Sequence, residues 1–333
     1  CCLPMRALGG PVQTALLEQT ALVRLRQKAF RCYARARQVG WDQALWEGVF
    51  RALGYRHNIW PMQRLAELTF PITRRQPRPT AFGFQAILLG VGNLLPDEWT
   101  PTVGRADDHW RRLWDAWWRV REEFVEWILP RRLWRLNGVR PANHPQRRLA
   151  LAAHWLARHE SVAARLETWF ATPLPRARWA AALREALEVE PDEFWSWHWT
   201  FRSRRLSATR PLLGAARVTD LSVNAVLPWF WMRAVAGKNE TLRQAAEVRY
   251  LGWPKAEDNS VLRLARQRLL SGPSAPSVRS AATQQGLIQI VRDFCSESNA
   301  VCDHCLFPAV VRDFALRLPA LPTAPAGPRF PPG

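Results

Sequence analysis

The chain has 333 residues, 48% of them hydrophobic, enough to fill one large core or two ordinary ones. No apolar run approaches the roughly 20 residues of a membrane-spanning helix; the most apolar short stretch is Leu-Leu-Gly-Val-Gly at 88–92. Lys and Arg number 47 against 28 Asp and Glu, a net charge of +19, and only Lys28, Lys238 and Lys255 are lysines.

Such a balance points to a polyanion partner, nucleic acid first. Arginine offers phosphate two parallel N–H groups and stacks on aromatic rings. GC-rich coding also favours Arg over Lys, so the net excess carries the inference rather than the ratio. No signal peptide opens the sequence and no secreted disulfide framework is visible, which leads to the expectation of a cytoplasmic protein. The sequence starts at Cys1 rather than Met, as a piece of a longer chain would.

The periodicity predicts a helix over 15–38, with Leu22, Leu25, Ala29, Cys32, Tyr33 and Ala36 on one face. Arg24, Lys28, Arg31 and Arg35 follow steps of four, three and four and form the opposite stripe. That stripe is the sharpest local candidate for phosphate contact, although a solvated charged face is the commoner meaning of such spacing. Cys32 reads as a small buried hydrophobe. Helices are expected at 41–54, ended by Gly54, and at 61–68, entered through Pro61. Residues 72–80 are basic and Pro-rich and read as a linker. Residues 82–95 resume a helix that Pro96 to Gly104 break. From Asp107 to Trp127 the residues Trp110, Leu113, Trp114, Trp117, Phe124 and Trp127 recur at helical spacing, as core packing.

A turn cluster over 137–145 supplies Asn143 as N-cap and Pro145 as an early residue of a helix at 145–158. Helices follow at 161–170 and 176–187. Trp195, Trp197, Trp199 and Phe201 alternate with Ser196, His198 and Thr200, which predicts a strand and hence a small hairpin or a link to sequence outside this chain. The remaining helices are expected at 218–235, 240–250, 257–270 and 278–295, before a Pro-rich tail.

Cys295, Cys302 and Cys305 have the spacing C-x6-C-x2-C. The C-x2-C pair can turn two thiolates onto one metal, leaving a tetrahedral site one ligand short. His304 or the Cys1-Cys2 pair is the candidate for that place. Zinc suits four thiolates or three with an imidazole, and an all-thiolate set including Cys2 equally suits an iron–sulfur cluster. The plainer alternative is three reduced thiols.

Signatures of catalysis are missing: there is no Walker loop, dinucleotide-binding Gly pattern, nucleophile elbow or HExxH. His198 is a candidate base or ligand, but a histidine among tryptophans is more often a hydrogen-bonded core residue. Glu257-Asp258-Asn259 is the most suggestive acidic trio, yet it sits where a helix N-terminus prefers such residues. Gln285 either reads a base edge or fixes contacts between helices.

Taken in order, several segments resemble the bacterial family catalogued as domain of unknown function 2851. They are Leu53-Gly54-Tyr55-Arg56-His57-Asn58, Arg140-Pro141-Ala142-Asn143-His144-Pro145, and Trp195 through Phe201. Leu213-Gly214 with Asn224 and Pro228 follows, then Glu257-Asp258-Asn259, and last Gln285-Gly286-Leu287 with the three cysteines. The resemblance implies a helical C-terminal half with a cysteine cluster, beside an N-terminal half similar to a metal-dependent nuclease core. The Gly-Pro-Asp-Phe and Val-Glu-Ile-His types of motif in that half do not occur here, so no catalytic carboxylate carries over.

The expected fold is mainly α, a multi-helical bundle with at most a small β-hairpin and a C-terminal cysteine cluster. The expected division is a helical subdomain over 1–135, a second over 136–315 with the cysteines, and a disordered tail over 316–333. The expected function is a metal-stapled nucleic-acid-binding module, the accessory half of a nuclease-like protein. Its metal would sit on Cys2, Cys295, Cys302 and Cys305, and its nucleic acid on Arg24, Lys28, Arg31 and Arg35. Arg140, Asn143, His198, Asn224, Glu257, Asn259 and Gln285 are further candidates. The alternatives are a hydrolase using His198 with nearby carboxylates and a non-catalytic scaffold.

Overall fold

The computed structural model describes residues 3–76, 80–96, 106–270, 278–295 and 305–317. These residues are mainly helical, and among them no strand forms. No helix among them is long and apolar enough to cross a membrane. They belong to two compact units. One is formed by both chain ends, 1–24 with 257–333, and the other by 25–256. Residue 135, where the sequence suggests a division, falls within the second unit. Around it the chain is tied into the second unit, where Leu129 N–H donates to Val91 O (2.8 Å) and Trp134 Nε1 to Gly92 O (2.7 Å).

In the first unit, α1 (Leu3–Ala7) packs on α15 (Phe307–Arg317), and α13 (Ser260–Leu269) on α14 (Ala281–Phe294). The long α2 (Gly10–Val39) begins here. Met5, Leu16, Leu17, Leu262, Leu287, Ile290 and Phe307 close one apolar cluster, each such side chain contributing about 2 kcal/mol by leaving water. Gly286 lets two backbones approach: a Cβ there would lie 2.1 Å from Leu17 O. Ser280 and Thr283 cap α14 reciprocally, each side chain accepting the other residue's backbone N–H (3.2 and 3.4 Å). Asn259 caps α13 through Leu262 N–H (2.9 Å). The helix α15 lies beyond the segments that the periodicity picked out.

In the second unit, α3 (Trp41–Leu53) packs on α4 (Ile59–Arg75), while α5 (Ala81–Val91) packs on α6 (Ala106–Phe124) and α7 (Pro145–Leu156). From Phe84 to Val91 every residue of α5 is buried, as its apolar run predicts. The helix α4 outruns the sequence expectation, because Pro71 is carried inside it. On α6 the tryptophan stripe divides: Leu113, Trp117 and Phe124 are core, whereas Trp110, Trp114 and Trp127 are only partly buried. Further on come α8 (Val162–Ala171) and α9 (Trp179–Leu187). The helix α11 (Leu227–Ala236) packs on α12 (Glu240–Gly252).

Between α10 (Ala215–Leu221) and α11 the helix continues through a π-helical turn, Ser222–Val226. Pro228 explains it. A proline has no N–H for the carbonyl four residues back and its ring crowds that carbonyl, so the preceding turn widens.

The expected strand at Trp195–Phe201 is absent, and with it the hairpin. Asp192 Oδ1 accepts from the N–H groups of Phe194 (2.9 Å) and Trp195 (2.7 Å), and Ser196 Oγ accepts from Asp192 N–H (2.8 Å). These local bonds curl the chain into turns before any pleat can form. Phe194, Trp195 and Ser196 are buried consecutively, so the aromatic alternation never becomes an alternation of faces.

Candidate functional site

The arginine and lysine stripe of α2 is not the solvated face that its spacing suggests. Arg24 donates from Nε to Gln285 Oε1 (2.7 Å) and from Nη1 to Gln289 Oε1 (3.1 Å). Lys28 is buried and donates to Val223 O (3.1 Å). Arg35 grips both carboxylate oxygens of Glu47 (2.7 and 2.8 Å). Arg31 alone of the four is exposed. The apolar face is buried at Leu22, Leu25 and Ala29 as its spacing predicts, but a long helix can be lined by neighbours on its polar face as well. Gln285 is thereby a contact between helices. Cys32 is half-buried, its thiol pushed up to about 12 by burial and by the Glu47 carboxylate.

His198 is buried in a polar-aromatic core. Its ring stacks on Phe194 (centroids 4.2 Å), which also stacks on the ring of His109 (4.3 Å, nearly parallel). Its Nδ1 meets Phe194 O at 3.1 Å. Asp192 sits beside this stack, with Oδ2 in contact with Gln85 Nε2 (2.6 Å) and His154 Nε2 (2.8 Å). Burial raises the Asp192 carboxyl, but the hydrogen bonds from His154, Trp195, Gln85 and Phe194 together hold it down at about 2. Burial pushes His109 and His144 each down to about 4. All acceptors of Asp192 face protein donors, so the group organises structure and is not presented to a substrate.

Other candidates resolve as local structure. Asn259 is the cap of α13, Asp258 pairs with Arg266, and Glu257 is exposed. Asn224 Nδ2 donates one turn back to Asp220 O (2.9 Å). Asn143 does not cap α7, whose N-cap is His144; its Oδ1 accepts from Arg148 Nη2 (3.0 Å) instead.

The segments 53–58 and 131–148 do come together. A Cβ at Gly54 would lie 2.5 Å from Asn58 O, which only glycine avoids, and Tyr55 takes a left-handed φ of 55°. This tight turn aims Asn58 at Arg135. Asn58 Nδ2 donates to Arg135 O (3.0 Å) and its Oδ1 accepts from Arg135 N–H (2.8 Å). Neither 48–66 nor 127–159 contains Asp or Glu. Arg51, Arg56, His57, Arg132, Arg135 and Arg140 are exposed there, with Trp60 59% and Tyr55 42% exposed beside them. Desolvation first, then Arg135 and Arg56, pushes the His57 imidazole down. This is a positive surface with aromatic rings in it. The sequence signal that could have found it is the absence of acids in both segments.

Beneath it lie arginines that solvent does not reach. Arg147 donates to His198 O (3.1 Å), Arg210 O (2.8 Å) and Pro211 O (2.9 Å), and Arg148 to Leu212 O (2.8 Å). Arg217 pairs with Asp220 (2.9 Å) and stands 5.0 Å from the Tyr55 ring.

Cys295 and Cys305 are half-buried and pack against the same apolar cluster as Met5 and Phe307. Cys2 and Cys302, like His304 and the tail from 318, lie outside the described residues. Among the described residues no three His, Cys, Asp or Glu are grouped to hold a metal ion.

A family model described as "Protein of unknown function (DUF2851)" matches residues 1–260, which take in the 53–58 and 140–145 turns, Arg217 and Asn224. Gln285 and the C-terminal cysteines fall beyond that match. No curated protein and no solved structure matches.

Proposed function

The chain belongs to the family of unknown function DUF2851, and we propose that it is a helical nucleic-acid-binding module, the accessory half of a nuclease-like protein. One observation carries the reading: two acid-free segments joined at Asn58 and Arg135 present exposed arginines around an exposed tryptophan. Arginines there neutralise phosphates and release counterions, and Trp60 offers a base a stacking face. This surface replaces the α2 stripe as the contact.

Fluorescence anisotropy with single- and double-stranded oligonucleotides tests it across a salt series. The expected result is log affinity falling linearly with log salt, shallower by about 0.7 to 0.9 for each phosphate contact removed, in Arg56→Ala and Arg135→Ala. Trp60→Ala weakens single-strand binding about tenfold or more. Affinity indifferent to salt and to all three substitutions overturns the proposal.

A second reading concerns the metal. Met5, Phe307, Cys295 and Cys305 share one apolar cluster, and Met5 and Cys305 stand three positions from Cys2 and Cys302 respectively in the sequence, which supports zinc or an iron–sulfur cluster on Cys2, Cys295, Cys302 and Cys305. Anaerobic purification, a visible spectrum and metal analysis test it. Stoichiometric metal lost in Cys305→Ser is expected, and metal-free protein refutes it.

A further inference from the structure

Under the positive surface, Arg148 and Arg217 are 3% and 6% exposed. Arg148 uses Nη1 on Leu212 O and Nη2 on Asn143 Oδ1, and Arg217 uses Nη1 on Asp220. The Nε atom of each is buried without an acceptor. Ser222 Oγ, in the π-helical turn that follows Asp220, is likewise buried without one. Burial above all, then Arg217 and Arg147, push the Arg148 guanidinium down to about 9, with Asp220 opposing. It therefore keeps its charge at neutral pH, with repulsion by Arg217 one cause of the fall. The Asp220 carboxylate, partly exposed at 28%, pairs with Arg217.

Two local features adjoin these groups. Tyr55, whose ring Arg217 abuts, has a left-handed backbone that a tyrosine rarely adopts. The π-helical turn carries Ser222 and Asn224 just after Asp220, and such turns recur at functional sites. Both come from segments within the family match.

We propose that Arg148 and Arg217 form a phosphate-binding site, entered past Tyr55 and Asp220, in which the phosphate displaces the Asp220 carboxylate from Arg217. Both Nε–H groups and the Arg217 Nη1 released from Asp220 are its donors. A phosphate group suits it better than a carboxylate, since three or more oxygens can meet donors from two guanidinium planes at once. The site stands independently of the surface contact proposed above. The phosphate is free inorganic phosphate or the terminal group of a nucleic-acid strand, and the chemistry of recognition is the same.

Isothermal titration with inorganic phosphate, at ionic strength held constant with chloride and without nucleic acid, tests the site in the whole chain. Saturable binding is expected in the natural sequence, lost in Arg217→Gln and tightened about threefold in Asp220→Asn, where the competing carboxylate is gone. Tightening is not something a merely structural Asp220 would give, so this variant decides the matter even if Arg217→Gln misfolds. Absence of saturable binding, or equal affinity in the natural chain and Asp220→Asn, overturns the inference. Oligonucleotides with and without a 5′-phosphate identify the source. An advantage for the phosphorylated strand that Arg217→Gln removes assigns the site to strand ends, and equal affinity assigns it to free phosphate.

Discussion

Acid should loosen the second unit well before its carboxylates protonate, and His109 is the residue on which to show it. Its ring is 8% exposed, parallel to Phe194 and edge-on to Phe82, and its Nε2 has no acceptor. A charge there would lose its hydration, which is why burial leads the causes that bring it from 6.5 to about 4, with Arg112 and His198 adding to the fall and Asp192 opposing it. The unfolded chain therefore takes up this proton first. The folded state's advantage is complete above about pH 6.5 and is lost as pH falls towards 4. Between pH 7 and pH 5 the loss is about 2 kcal/mol for His109, and similar for His144, which burial holds at the same value. Replacing His109 with Phe keeps a flat ring between its neighbours and removes the titration. Urea unfolding followed by tryptophan fluorescence at both pH values should show His109→Phe losing about 2 kcal/mol less than the natural chain. Equal losses in the two proteins would mean that the ring is solvated or paired, and the reasoning from burial would fail.

Asp192 works in the opposite quarter. Its carboxyl lies below the ordinary 3.8, so its contribution is present above that value and drains away as pH falls to about 2. Asp192→Ala at pH 7 should cost about 3 kcal/mol, since it orphans buried donors on Phe194, Trp195 and Gln85; chemical denaturation reads this directly. Gly286→Ala should lower stability by about 2 kcal/mol, because its Cβ meets the backbone oxygen of Leu17, which cannot rotate away. An unchanged melting temperature would contradict that helix crossing. Asn259→Ala should cost about 1 kcal/mol, and Asn259→Ser should restore most of it if the side chain is a cap rather than a ligand.

The net charge of +19 is a poor map of where positive charge meets water. Lys28, Arg147, Arg148, Arg217 and Arg249 are all buried. Most of them bind backbone carbonyls, as when Arg249 Nη2 reaches Phe170 O (2.8 Å) with its guanidinium 4.0 Å from the Phe170 ring. Several planar N–H groups on one side chain can satisfy the carbonyls of irregular segments, which suits a chain whose turns around 198–212 lack regular partners. Arginine is in this way both scaffold and candidate contact, and composition cannot separate the two.

The sequence by itself determined most of the helices. Periodic apolar residues set α2, α3, α5 and α7 within a few positions, and Asn259 reads as a cap without any coordinates, since these depend on neighbours three or four residues away. Tertiary structure alone decided that the polar face of α2 is lined as well, which arginines stay wet, and that 53–58 grips Arg135. Those outcomes depend on partners such as Gln285, Val223 and Arg135, 261, 195 and 77 positions distant. The tryptophan run at 195–201 shows the boundary between the two kinds of information. Its alternation satisfied the rule for a strand, but the Asp192 carboxylate and the burial of His109 against Phe194 offered the backbone and rings better partners in a turn.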